Sequence, residues 1–100
     1  MSTATVNSSA PHLRKYGDSQ AFYEAGRKLL HAGYRLKYSQ AAGSPAQLLA
    51  RDGVAHQILD RADQAIAWAA QMDRLAGGKP TAEQVEALVE FLNYAKLDMR

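Results

Sequence analysis

The sequence predicts an all-α fold, an antiparallel three-helix bundle, on three observations. Apolar residues recur at helical spacing in three segments, and no segment shows the alternation that is typical of strands. Two of these segments open with capping-box sequences, which mark the starts of helices. The loops between the segments are short, so consecutive helices are expected to lie side by side in opposite directions.

The composition is that of one small globular domain. A chain of 100 residues with 47% apolar side chains can bury a core of its own. We expect residues 1–17 to form a flexible tail and connector, and residues 18–100 to form the single helical domain. Cysteine is absent, which excludes disulfides and thiolate chemistry. No apolar run reaches the ~18 residues of a membrane span, and no signal peptide is visible, so a cytoplasmic location without a membrane partner is expected.

Positive charge is concentrated at the start of the chain. The net charge is +2, but residues 1–38 contain six Lys or Arg against two acidic residues, a net charge of +4. Residues 39–78 and residues 79–100 each carry a net charge of −1. Such an asymmetry is typical of proteins that use one basic region to bind nucleic acid or another partner.

The first helix is predicted to run from a cap at Asp18 or Ser19 to about Tyr38. Its buried stripe consists of Phe22, Ala25, Leu29, Leu30, Ala32 and Leu36. Gly26 and Gly33 lie on the same stripe, seven residues apart. Because glycine lowers helix stability, its presence there predicts a close crossing against the central helix.

The central helix is predicted over residues 44–76, from a capping box at Ser44 and Gln47 to the glycine pair at 77–78. Its apolar arc is roughly 200° wide, broader than the ~100° needed for one contact, so two partner helices are expected. The arc consists of Leu48, Ala50, Val54, Ala55, Ile58, Leu59, Ala62, Ala65, Ile66, Trp68, Ala69, Met72 and Leu75. An interior glycine costs ~1 kcal/mol relative to alanine, so a break at Gly53, giving four helices, is the alternative.

The third helix is predicted to begin at a second capping box, formed by Thr81 and Gln84. Glu83 and Glu86 suit the positive end of its dipole. Its core stripe consists of Val85, Leu88, Val89, Leu92, Ala95 and Met99, with Phe91 at the margin. Residues 97–100 are expected to fray.

The polar residues form no recognised catalytic or metal-binding pattern. Asp52, His56, Asp60 and Asp63 share one face of the central helix, and i, i+4 spacing can hold a metal. The Glu-x-x-His motif of di-iron bundles is missing, however, and a solvated face accounts for these residues. The three histidines are scattered and form no triad. We therefore predict no enzyme activity, no catalytic residues, no metal site and no cofactor.

A partner-binding surface is predicted on the first helix. It comprises Tyr23, Arg27, Lys28, His31, Tyr34, Arg35 and Tyr38. Arg14, Lys15 and Tyr16 lie just upstream. Tyrosine and arginine together are favoured at protein interfaces, and they can also stack on bases and neutralise phosphates. Ordinary solvation of an exposed helix face is the alternative interpretation.

Part of the chain resembles phage cyclic-nucleotide sponges of the anti-CBASS and anti-Thoeris type. The run from Leu59 to Ala70 is similar to the second helix of their hairpin, and Phe22 to Ala25 is similar to the first. The resemblance implies a helical oligomer that holds a small anionic ligand. It assigns no ligand-binding residue in this sequence.

In its length, single domain, lack of cysteine and lack of a catalytic set, the chain is similar to small phage-encoded anti-CRISPR proteins. The members of that group that target the type I Cascade complex include helical examples. The resemblance implies a non-enzymatic protein that binds a Cas subunit and blocks the binding of target DNA. We therefore expect a protein that blocks a macromolecular partner. The alternatives are nucleic-acid binding through the basic first helix and a cyclic-nucleotide sponge.

Overall fold

A computed structural model describes residues 15–39, 43–75 and 77–97 of the chain. Within these ranges the backbone forms three α-helices and no strand. The helices are α1 (Ser19–Lys37), α2 (Pro45–Arg74) and α3 (Ala82–Tyr94). The predicted all-α class is therefore confirmed. Among the described helices, none combines the length and the apolar character of a membrane span.

The first helix, α1, begins at a predicted cap. The Asp18 side chain accepts a hydrogen bond of 2.9 Å from the backbone N–H of Ala21. This bond satisfies one of the N–H groups that a helix start leaves without an internal partner. The helix ends at Lys37, and Tyr38 is its C-cap. The limits predicted for α1 are confirmed.

The long helix α2 opens with the predicted capping box. The Ser44 hydroxyl accepts from the N–H of Gln47 at 3.2 Å, and the Gln47 side chain accepts from the N–H of Ser44 at 2.9 Å. The helix then continues through Gly53 without a break. The four-helix alternative is therefore wrong, because the ~1 kcal/mol that an interior glycine costs relative to alanine weakens a helix without having to break it.

The end of α2 lies two residues before the predicted position. Leu75 is the C-cap and has extended backbone, so it is not helical as predicted, and residue 76 lies outside the described residues. Gly77 adopts a φ of +67°, as the glycine pair predicted. The left-handed region is open to glycine without steric cost, and the chain turns there towards α3.

Close contact between α1 and α2 occurs at the two glycines of α1. A Cβ atom on Gly26 would lie 2.5 Å from Cγ1 of Ile66, and one on Gly33 would lie 2.6 Å from Cδ2 of Leu59. Later residues of α1 therefore meet earlier residues of α2, so the two helices are antiparallel. The predicted close crossing is confirmed, because only hydrogen fits at these two positions.

The third helix, α3, begins at its predicted capping box between Thr81 and Gln84. It buries Val85, Leu88 and Leu92. The helix ends at Tyr94, and the predicted core position Met99 lies outside the described residues.

The core contains side chains from all three helices. Its buried members are Tyr16, Phe22, Ala25, Leu29, Ile58, Ala62, Ala65, Ala69, Met72, Val85, Leu88 and Leu92. Most of the packing joins α1 to α2, and α3 adds a smaller contact, so the structure supports the three-helix bundle in part. Tyr16 lies in the predicted flexible connector but is only 3% exposed, so this residue belongs to the core. Residues 1–14 of the predicted tail lie outside the described residues.

The first turns of α2 extend beyond its neighbours. All described residues from 43 to 50 are exposed. Leu48 and Val54, predicted to be buried, are exposed, as is Leu75 at the other end. Ala50, which was also predicted to be buried, is exposed as well. The reason is the difference in helix length, since α1 has 19 residues and α2 has 30. Since Gly33, near the end of α1, already meets Leu59, no described helix reaches these turns.

Candidate partner-binding surface

Four of the seven predicted surface residues line one groove beside α1, which we call the basic groove. Its lining consists of Glu24, Arg27, Lys28, His31, Ala32, Arg35 and Leu97. The polar residues come from consecutive turns of α1, whereas Leu97, just after α3, lies across the groove. The space enclosed is about 470 Å³, enough to receive one or two side chains of a partner.

The electrostatics of the basic groove favour an anion. Three permanent cations line it, against the single carboxylate of Glu24, which also accepts a hydrogen bond of 3.3 Å from Gln20. Among the residues that the structure describes, neither Arg27 nor Arg35 forms a salt bridge. Their guanidinium groups can therefore bind carboxylates or phosphates in a bidentate manner without first breaking an internal ion pair.

The tyrosines of the predicted surface do not line the basic groove. Tyr34 and Tyr38 stack on each other at the end of α1, with ring centroids 6.1 Å apart and an interplanar angle of 8°. Lys37 Nζ lies 5.7 Å from the centroid of the Tyr38 ring. Tyr34 is 48% and Tyr38 68% exposed, so this pair is an aromatic surface separate from the groove.

Tyr23 contacts α2 and is half-buried. Desolvation, followed by the negative charge and the hydrogen bond of Asp73, raises the pKa of Tyr23 above its ordinary value. Asp73 also accepts a hydrogen bond of 2.5 Å from Ser19 Oγ. Both contacts join the start of α1 to the end of α2. Asp73 is therefore a structural partner of the Tyr23 hydroxyl.

A second groove adjoins the basic groove, and it was not predicted from the sequence. We call it the apolar groove. Its lining consists of Ala32, Arg35, Leu36, Ser39, Val54, Ile58, Tyr94, Ala95 and Lys96. Ala32 and Arg35 belong to both grooves. The residues come from all three helices, so no single segment carries a signal for it, and the wide apolar arc of α2 predicted two covering helices rather than an open groove.

The acidic face of α2 behaves as a solvated surface. His56 Nε2 lies 3.4 Å from Asp52 Oδ2, and both side chains are about half exposed. In the described ranges, no group of three or more His, Asp or Glu is arranged to hold a metal ion. Arg61, on another side of α2, lies over the rings of Tyr94 and Phe91, at 4.2 and 5.8 Å from their centroids.

Comparison with known proteins adds no relative from which a function could be transferred. The chain matches no protein-family model, no curated protein and no solved structure. The function of this chain must therefore be inferred from its two grooves and from the tyrosine pair.

Proposed function

We propose that this chain is a three-helix bundle that works without catalysis, binding an acidic region of a macromolecular partner in the cytoplasm and blocking it. The observation that supports this most is the convergence of Arg27, Lys28, His31 and Arg35 on one groove. Cationic side chains that only keep a helix face hydrated need not lie around a common groove. These four residues do line one groove, opposite an apolar wall formed by Leu97.

The most specific form of this proposal is a phage anti-CRISPR inhibitor that binds a Cas subunit of a type I complex and prevents the binding of target DNA. It is supported by the similarity in size, composition and domain number described above. Proteins that bind DNA carry cationic surfaces to neutralise phosphates. In this form the exposed Glu83, Glu86 and Glu90 of α3 face such a cationic surface, while the basic groove binds an acidic region beside it.

Charge reversal in the basic groove tests the proposal. We expect the double variant Arg27→Glu, Arg35→Glu to weaken partner capture by more than about tenfold, because opposite charges across an interface become like charges. Both residues are exposed, so helicity measured by circular dichroism should not change. The readout is affinity capture from host lysate at low and high salt, with mass spectrometry of the bound protein.

A matched control is the double variant Arg74→Glu, Lys79→Glu, which changes the net charge equally at the end of α2 and the loop that follows. Both of these residues are exposed as well. This control should retain capture. Equal capture by both double variants would remove the basic groove from the binding surface and contradict the proposal.

Nucleic-acid binding is the second candidate, favoured by the exposed Tyr34 and Tyr38 rings beside Lys37. Aromatic side chains next to cations can stack on unpaired bases. Its signature is a steep loss of affinity with salt, because phosphate contacts release counterions. Fluorescence anisotropy with a labelled single strand measures this directly. Absent or salt-independent binding would exclude this candidate.

A further inference from the structure

The apolar groove presents uncovered aliphatic surface next to positive charge. Ile58, at its floor, is only 4% exposed, but Val54 and Tyr94 at its edges are 39% and 41% exposed. Arg61 lies over the Tyr94 ring at 4.2 Å from its centroid, and both edges nevertheless remain open to solvent. Arg35 and Lys96 provide cations on the rim.

A helix-ending motif places Lys96 on this rim. The N–H of Leu97 donates to the carbonyl of Leu92 at 2.9 Å, and that of Lys96 donates to Asn93 at 3.0 Å. This pair of bonds is the Schellman motif, in which glycine is the usual residue at the left-handed position. Lys96 occupies that position with a φ of 57°. The motif ends α3 and fixes the backbone of Lys96 at the edge of the apolar groove.

We propose that the two grooves together bind one amphipathic, acidic segment of the partner protein. An aliphatic side chain of that segment enters the apolar groove between Val54 and Tyr94. Its carboxylates face Arg35, Lys96 and the cations of the basic groove. This inference rests on the proposed function and adds the chemistry of the partner's contact segment.

The shape and chemistry of the grooves favour a protein segment over nucleic acid. Nucleic acids offer phosphates and flat bases, but no aliphatic side chain that would fill a site lined by Leu36, Val54 and Ile58. An amphipathic helix offers both elements, with apolar anchors at i, i+3 and i+4 and charged residues at the flanks. Depletion of water from the apolar half also strengthens the neighbouring charge pairs.

Three fluorescein-labelled peptides, each four helical turns long, test this selection by anisotropy on the full chain. All three carry the same stripe of leucines, flanked by Glu in the first, by Lys in the second and by Gln in the third. We expect the Glu peptide to bind at least about tenfold more tightly than the Lys peptide, with the Gln peptide between them. A Glu peptide whose leucines are replaced by serine should lose binding.

The variant Val54→Glu locates the binding site. We expect it to weaken binding of the Glu peptide by roughly tenfold, the usual effect of losing one buried anchor, and to leave thermal unfolding unchanged. Leu49→Glu is the matched control, since it makes the same kind of change on the same helix at a residue that is 74% exposed and outside both grooves. It should bind the peptide as the wild type does.

The results separate this inference from the proposed function. Suppose that the double variant Arg27→Glu, Arg35→Glu abolishes capture of the native partner and that Val54→Glu still captures it. The proposed function then stands, and the two-groove inference is overturned. The inference is also overturned if the Glu peptide binds no better than the Lys peptide. Two further results would assign the groove to another occupant and also overturn the inference. One is tighter binding of labelled single-stranded DNA than of the Glu peptide. The other is a concentration-dependent dimer that Val54→Glu abolishes.

Discussion

Gly26 and Gly53 both lie inside helices, but the space around their α-carbons differs completely. A Cβ on Gly26 would meet the Ile66 side chain at 2.5 Å, whereas a Cβ on Gly53 would meet nothing within 4 Å. Alanine is more favourable than glycine in a helix by ~1 kcal/mol. The same substitution should therefore have opposite effects at the two positions.

We expect Gly53→Ala to raise the free energy of unfolding by about 0.5–1 kcal/mol. Gly26→Ala should instead lower it by about 1–2 kcal/mol, because the clash with a packed side chain outweighs the gain in helix propensity. Urea denaturation followed by circular dichroism measures both. A stabilising Gly26→Ala would mean that Ile66 moves aside easily and that the glycine does not limit the helix crossing.

Among the helices, two identical capping devices serve elements of different importance. The capping box of Ser44 starts the part of α2 that projects beyond its neighbours, and that of Thr81 starts the short, packed α3. Local stability follows local packing, so the projecting turns of α2 can open without the rest of the molecule. The loss of a cap should therefore have a local effect at one site and a global effect at the other.

We expect Thr81→Ala to lower the free energy of global unfolding by about 1 kcal/mol, the usual cost of removing a cap. Ser44→Ala should leave the global value almost unchanged and instead accelerate amide hydrogen exchange over residues 48–51. Urea denaturation and exchange mass spectrometry distinguish the two effects. A global loss in Ser44→Ala equal to that in Thr81→Ala would show that the first turns of α2 unfold together with the core.

Across the whole molecule, an aromatic cluster joins all three helices. Trp68 of α2 stacks on Phe91 of α3 at 5.9 Å and meets the edge of Phe22 of α1 at 6.2 Å. Trp68 is the single tryptophan of the chain, so its fluorescence reports whether α3 is packed against α2. Its place at the margin of the apolar arc favoured a core position over an exposed anchor, and the structure places it half-buried in this cluster.

We expect Leu88→Ala to lower the free energy of unfolding by about 2–5 kcal/mol, since Leu88 is fully buried and its truncation leaves a cavity. Trp68 emission should shift to the red as α3 loosens. Leu75→Ala is the control, because Leu75 is 63% exposed, and it should cost less than about 0.5 kcal/mol. An unchanged Trp68 spectrum in Leu88→Ala would contradict the view that this cluster depends on the packing of α3.

Local signals predicted the helices of this protein well. The caps at Asp18, Ser44 and Thr81, and the turn at Gly77, each depend on residues within a few positions of one another. Hydrogen bonding and steric exclusion act over that short range, so the sequence is sufficient to predict them. The close crossing at Gly26 and Gly33 was also predictable, because glycine on a buried stripe weakens a helix unless a neighbouring helix needs the space.

The candidate site was predictable only in part. Arg27, Lys28, His31 and Arg35 lie on one face by helical periodicity alone, and they line the basic groove together. Tyr23 shares that periodicity, but Asp73 of α2 engages its hydroxyl. No spacing within α1 could indicate this contact, since the two residues are separated by 50 positions in the chain.

The sequence by itself determined the class of the fold, the starts of the helices and the charge along α1, because each depends on residues close together in the chain. Only the tertiary structure decided which part of the wide apolar arc of α2 is covered. It also brought Val54, Tyr94 and Lys96 around one groove. The physical reason is helix length, because α1 and α3 are shorter than α2. The positions along α2 at which these two helices end determine which part of its apolar surface remains exposed for a partner.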